Sequence, residues 1–203
     1  MTTVVSDLEA IPGLIRCETT SRDEGFALAA EMTHAVYPHD QIYGRFCTVQ
    51  DFIDCPIETT YEYLADVDKL DEWTYSTRHF VPTGKPGLYV GSDELADDTK
   101  IYLEVKTDPT ARTVDYHCAW DQGEKLWMIY LIRLVDARLV LNRPGTVVLW
   151  TNCRHPFYDQ NPYPETVPDP ARVWVGDLWP LFYAGHAIEL ANLKKILEHR
   201  HGS

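Results

Sequence analysis

Residues 46–80 read Phe46-Cys-Thr-Val-Gln-Asp-Phe-Ile-Asp-Cys-Pro-Ile-Glu-Thr-Thr-Tyr-Glu-Tyr-Leu-Ala-Asp-Val-Asp-Lys-Leu-Asp-Glu-Trp-Thr-Tyr-Ser-Thr-Arg-His-Phe80. This order spells a strand, a tightly started amphipathic helix, a loop closed by a tryptophan, and a second strand. Asp54 is placed to cap the helix, Pro56 falls where a first-turn proline is tolerated, and Glu58 adds negative charge near the positive end of the helix dipole. Ile57, Tyr61 and Leu64 recur at spacings of four and three, the period of one helix face. Asp66, Asp68 and Asp71 then break the pattern into a loop, and Trp73 follows.

Upstream, residues 1–21 show little periodicity and read as an arm. Arg22 to Val36 read as a helix, with Ser21 as its cap, Glu24 three residues on, and Phe26, Leu28, Ala29, Met32 and Val36 on an apolar side. Pro38 disfavours helical geometry at Tyr37, so the turn Pro38-His39-Asp40 closes an N-terminal arm and helix (1–40), and the domain proper spans 41–203. The arm lies either over the mouth of a cavity or at a homodimer contact; the sequence leaves both open.

Downstream, the pattern predicts a strand at 42–53, a helix at 56–65, and strands near 74–82, 88–95, 100–107, 111–121, 125–136 and 146–155. Turn signals at Pro82-Thr-Gly84, Asp97-Asp98, Asp108-Pro109, Asp121-Gln-Gly123 and Asn142-Arg-Pro-Gly145 separate them, and such short connections make neighbours antiparallel. Phe157 to Pro170, with Pro162, Pro164, Pro168 and Pro170, reads as an extended loop. The closing helix follows. Its Trp179, Tyr183, His186, Leu190, Leu193 and Leu197 fall at spacings of four, three, four, three and four, one continuous stripe. Pro180 starts that helix or kinks it after a turn containing Trp174 and Leu178. Strands at this density before one long helix predict an α+β fold, a curved antiparallel sheet wrapped around the helix.

The chain has 203 residues, enough for one domain with a sizeable core. Thirty-one acidic against eighteen basic side chains give a net charge of −13, which repels nucleic-acid backbones and anionic membrane surfaces. No apolar run is long enough for a membrane span, and the first residues, with Asp7, Glu9 and Pro12, lack the basic and apolar regions of a signal peptide, which predicts a cytoplasmic protein. The five cysteines (Cys17, Cys47, Cys55, Cys118, Cys153) form no CxxC pair and read as reduced core residues. There is no GxSxG elbow, phosphate-cradling glycine loop or dinucleotide fingerprint.

The strand, Cys55-Pro56, Tyr61, Leu64, Asp66 and Trp73, taken in that order, resembles the opening signature of the START/Bet v 1-like (SRPBCC) superfamily, polyketide cyclase/dehydrase-like, over about residues 42–198. The resemblance implies a helix-grip fold with a deep ligand cavity, the closing helix forming one wall. It implies an enzyme similar to the aromatase/cyclases, moving protons during cyclisation and dehydration of an aromatic or polyketide-like molecule. A non-catalytic carrier or sensor of a hydrophobic ligand is the alternative. A third reading is a metal-dependent carbon–carbon hydrolase on the same fold.

The aromatic residues Trp73, Tyr75, Tyr116, Trp120, Trp127, Trp150 and Trp179 are expected to line that cavity, with hydroxyl and indole N–H groups as polar handles. Strand alternation puts Tyr75, Thr77, His79 and Val81 on one face, and Val147, Leu149, Thr151, Cys153 and His155 on another, both able to point inward. It puts His117 outward, opposite Val114, Tyr116, Cys118 and Trp120. His186 lies in the helix stripe, either as a satisfied core histidine or as a functional group. His79, His186 and Tyr183 are therefore the candidates for proton transfer; Arg78 has the wrong parity and Glu104 sits on the less apolar face. His79, His155 and His186 with Glu104 or Glu189 are the potential metal ligands, but no HExxH or His-x-His motif supports them, so neither metal nor cofactor is expected.

Overall fold

The computed structural model describes residues 5–8, 10–36, 46–95, 99–166 and 175–202. Residues 42–45 of the first expected strand, the turn at Pro38-His39-Asp40, Asp97-Asp98, Pro168, Pro170 and Trp174 lie outside the described residues. The helices are α1 (Val5–Leu8), α2 (Arg22–Val36), α3 (Ile57–Ala65), α4 (Leu70–Trp73), α5 (Ala137–Val140) and α6 (Phe182–His201). The strands are β1 (Phe46–Ile53), β2 (Thr77–Pro82), β3 (Leu88–Asp93), β4 (Lys100–Asp108), β5 (Thr113–Trp120), β6 (Met128–Asp136) and β7 (Thr146–Cys153).

All seven described strands pair antiparallel in one sheet, ordered β1-β7-β6-β5-β4-β3-β2. Its curved inner face wraps α6, the helix-grip arrangement expected from the sequence. The stripe on α6 supplies the contact: His186, Leu190, Leu193 and Leu197 are buried, and Leu197 has no exposed area. The predicted bounds of α2 and of most strands hold to within a few residues, because period-two and period-3.6 patterns and turn residues are local signals.

The start of α3 differs from its prediction. Pro56 occupies the N-cap position and no side chain caps this end. Its fixed extended geometry takes the place Asp54 would need, and the Asp54 backbone N–H instead donates to Glu198 Oε1 at 2.9 Å. Asp66 does cap, accepting from the Asp68 N–H at 3.0 Å to open a 3₁₀ turn at Val67–Lys69. At α2 the capping box forms as expected, with the Ser21 N–H donating to Glu24 Oε2 at 3.0 Å. The proline-rich loop is less extended than predicted, since 3₁₀ turns form at Pro156–Tyr158 and Pro164–Thr166. Pro180 falls inside a further 3₁₀ segment, Val175–Leu181, which leads directly into α6.

The N-terminal residues are tied to the body at the middle and at the C-terminal end of α6. Ile15 exchanges hydrogen bonds with the Asn192 amide, 3.1 Å to Oδ1 and 2.8 Å from Nδ2. Near the C-terminus, buried Glu72 accepts from the Tyr63 hydroxyl at 2.7 Å and Lys69 Nζ at 3.1 Å, and pairs with Arg200, which also binds Asp7. Burial alone would raise the Glu72 pKa; its hydrogen bonds from Tyr63, Arg200 and Lys69 outweigh this and hold it below the ordinary value.

Candidate functional site

Between the sheet and α6 lies a cavity of about 230 Å³. That exceeds the roughly 150 Å³ that holds a benzene ring in an engineered core, so the space suits a somewhat larger ring system. Its walls come from four directions. The sheet gives Phe80, Ile101, Leu103, Tyr116, Cys118, Trp120, Met128, Tyr130 and Trp150; α4 and the segment after it give Trp73, Tyr75 and Ser76; α6 gives Phe182, His186, Ile188 and Glu189; α2 gives Gly25, Phe26 and Ala29. The 3₁₀ segment before α6 adds Val175, Leu178 and Leu181.

Helix α2 thus forms part of the cavity wall. It comes close at Gly25, where an added Cβ would clash with the Tyr75 hydroxyl. Only glycine leaves room for that ring.

The lining is largely apolar, and its aromatic faces brace one another. Trp73 stands edge-on to Trp150, with ring centroids 5.7 Å apart, and lies 6.3 Å from Tyr116. Tyr116 is locked by its hydroxyl, which donates to the Leu64 carbonyl at 2.6 Å. The imidazole of His186 stacks on Trp150 at 4.3 Å and meets Tyr130 edge-on at 5.4 Å. Trp73, Tyr75, Tyr116, Trp120, Trp150 and His186 are therefore brought together at the cavity.

Trp127, Trp179 and Tyr183 do not line it. Trp127 is buried behind the sheet end against His155, Phe157 and Tyr158, its indole N–H donating to Gln122. Trp179 packs on Tyr158 and Phe182, and Tyr183 is half-buried against the hydrophobic core.

The two inward histidines read from strand parity are not inward. His79 is exposed on the outer side of β2, with φ of +62°, and the β2–β3 pairing shifts register between Arg78 and Val81. This bulge breaks the alternation, leaving Val81 exposed as well. The His79 N–H is held by both Asp71 carboxylate oxygens at 3.0 Å. In β7 the inward set is Val148, Trp150 and Asn152, opposite to the expected one. His155 lies beyond the strand, where its Nδ1 accepts from the Phe157 N–H at 3.1 Å and caps a 3₁₀ turn. His79, His155 and His186 are thus far apart in role and surroundings. Among the described residues no three His, Cys, Asp or Glu side chains gather into a metal-ligating group.

His186 is a neutral ring. Burial pulls its pKa down to about 3 and pushes that of the Cys47 thiol up to about 12, so the contact between Cys47 Sγ and His186 Nδ1, at 3.5 Å, joins an uncharged thiol to an uncharged imidazole. That pair is no thiolate–imidazolium nucleophile. Either partner can donate in this contact, according to the tautomer of the ring.

Two carboxyls also face the cavity, Glu189 on α6 and Asp93 at the end of β3. Glu189 Oε1 accepts from the Tyr75 backbone N–H at 3.0 Å, its one hydrogen bond among the described residues. Glu189 is only half-buried by exposed area because it faces the cavity, yet protein surrounds it closely. Burial pushes its pKa up to about 7; the Tyr75 N–H and the charge of Arg78 oppose the rise and Asp93 adds to it. Asp93 accepts from the Leu95 N–H at 2.9 Å, and burial likewise raises its pKa. Two carboxyls in one apolar enclosure do not both ionise freely.

Arg78 is buried but occupied. Its guanidinium grips Glu18 at 2.7 and 2.9 Å and donates to the carbonyls of Thr74, Tyr75 and Thr77. Glu104 is solvent-facing beside Lys106. Glu189 entered the sequence reading only as a metal ligand, three residues after His186; its place on the helix stripe side was the signal for a cavity role. Asp93 carried no signal in the sequence.

Comparison with known proteins agrees with this architecture. The profile of a family described as "Domain of unknown function (DUF8713)" matches residues 44–146. No curated protein matches the chain. Among solved structures, the Zhui aromatase/cyclase from Streptomyces sp. R1128 superposes with a TM-score of 0.53 at 15% identity, covering 77% of this chain and 94% of its own. The protein XoxI from Bacillus cereus gives 0.53 at 12% identity, covering 78% and 99%. An uncharacterised protein from Bacillus thuringiensis gives 0.51 at 12% identity, covering 75% and 98%. At these identities the likeness establishes the fold alone, the helix-grip fold of the START/Bet v 1-like, polyketide cyclase-like proteins.

Proposed function

Because the chain belongs to the family of domains of unknown function DUF8713, its chemistry has to be read from its own cavity, and we propose that it is an enzyme performing acid–base chemistry on an aromatic or polyketide-like molecule held there. The observation that carries this reading is the Glu189 carboxyl, enclosed among aromatic rings with a pKa of about 7. A base poised near the working pH combines an adequate ionised fraction with adequate proton affinity.

In this reading Glu189 takes the acidic proton from a carbon beside a carbonyl. The resulting enolate carbon forms a bond to a second carbonyl of the same molecule, the alkoxide so formed is protonated, and loss of water completes a cyclisation. The aromatic walls hold the substrate folded, which is where much of the rate gain of such a site arises. His186, a neutral imidazole, serves as a hydrogen-bonding group rather than a charged acid. His79 and Tyr183 have no part in it, since neither lines the cavity.

The bicyclic ketone 2-tetralone tests this. Its binding quenches Trp73, Trp120 and Trp150 fluorescence, and in D₂O the protein is expected to speed deuterium exchange at the carbon between ring and carbonyl. The rate should climb through about pH 7 as Glu189 ionises. Quenching with exchange no faster than in buffer would leave only a hydrophobic-ligand carrier.

A further inference from the structure

The charge inside the cavity is one-sided. Its described lining holds the carboxyls of Glu189 and Asp93 and the neutral imidazole of His186, and no lysine or arginine. The guanidinium whose charge acts on Glu189, that of Arg78, already spends its donors on Glu18 and on the carbonyls of Thr74, Tyr75 and Thr77. An anionic group entering here would meet two carboxyls and, among the described lining residues, no lysine or arginine.

From this lining we infer that the ligand of the cavity carries a basic nitrogen, cationic when bound as an ammonium or iminium group, attached to an aromatic or alicyclic ring system. The inference rests on the ligand-cavity reading above and narrows its substrate class. Two features support it beyond the carboxyls. Glu189 uses one oxygen on the Tyr75 N–H, and its second oxygen makes no hydrogen bond among the described residues, which leaves an acceptor for an N⁺–H donor. The lining also includes Trp73, Trp120, Trp150, Tyr116 and Tyr130, ring systems of the kind whose faces attract a desolvated cation.

A cation would also give Glu189 the ionic partner that the described residues do not supply. Glu189 has beside it Asp93 on β3, Arg78 on β2, the Tyr75 N–H, and His186 one turn earlier on α6. None of these gives it a direct ionic partner. An ammonium against the free oxygen would let Glu189 ionise within the apolar enclosure, with Asp93 as a second negative group nearby. A cationic nitrogen conjugated to the reacting carbon would in addition make its C–H more acidic and place it next to Glu189, so recognition and proton transfer would share one residue.

Three tetralins of equal shape and different charge test the inference: 2-aminotetralin, 2-tetralol and tetralin-2-carboxylic acid, each titrated against tryptophan fluorescence near neutral pH. The amine is expected to bind at least about tenfold more tightly than the alcohol, the size of a charge-assisted contact, and the acid most weakly. In the Glu189→Gln variant the amine should fall to the affinity of the alcohol, while the alcohol changes little. An alcohol or acid that matches the amine overturns the inference and leaves the ligand-cavity reading standing, and so does an amine advantage that survives in Glu189→Gln. Failure of all three to bind overturns both. The comparison of the three compounds on the unaltered protein stands whether or not the variant folds.

Discussion

Glu189→Gln is expected to stabilise the protein at about pH 8 while lowering the tetralone exchange rate by roughly 10²–10⁴-fold. The two effects have one cause. The folded-state pKa of Glu189 is raised from 4.5 to about 7, so the folded form binds its proton more tightly than the unfolded form. Stability from this group is complete below the unfolded pKa and is lost as pH rises through the folded value. At roughly 1.4 kcal/mol per unit, the loss across that window is on the order of 3.5 kcal/mol. Glutamine keeps an acceptor for the Tyr75 N–H and has no charge to bury, so the variant should melt above the parent at about pH 8 and beside it at about pH 4. Melting curves at the two pH values, with the exchange assay, check both halves. A variant less stable than the parent at pH 8 would show that Glu189 is a structural anion.

Trp73→Ala should cost about 3–5 kcal/mol and lower Tm on the order of 10 °C. Trp73 is 1% exposed, packs on Trp150 and Tyr116, and its carbonyl accepts from Asn192 Nδ2 at 3.3 Å. It closes the short helix α4 and joins it to both the sheet and α6. Truncation would merge the vacated volume with the existing cavity, so little of the lost contact would be recovered by collapse. Chemical denaturation of the variant measures the loss; a change under about 1 kcal/mol would mean that the ring is not part of the fold's support.

Much of the fold is legible in the sequence because its signals are local. The capping box at Ser21 and Glu24, the stripe on α6, and the alternation Val114, Tyr116, Cys118, Trp120 each declare the facing of their own element, and all three are realised. What failed needed neighbours. In β7 both faces are apolar, Val147 and Leu149 against Val148 and Trp150, so alternation alone selects neither; pairing of Trp150 with Val49 and Ile132 decides. His79 lost its inward place to a bulge that its own strand does not announce; the glycine that makes room for it, Gly91, lies on the paired strand β3. The site was harder still. Glutamate on a helix and aspartate at a strand end read as solvated by default. Only the wrapping of the sheet around α6 and the approach of the Tyr75 N–H turn Glu189 into an enclosed carboxyl.

Carbon-13 NMR of protein labelled at the glutamate side-chain carboxyl carbons, with the Glu189 signal assigned by its absence in Glu189→Gln, measures that carboxyl directly. A titration midpoint near pH 7 is the expected result, matching a carboxyl poised for proton transfer. A midpoint near about 4.3, the value of an ordinary glutamate, would contradict the account, because the cavity would then hold a fixed anion with little capacity to return a proton.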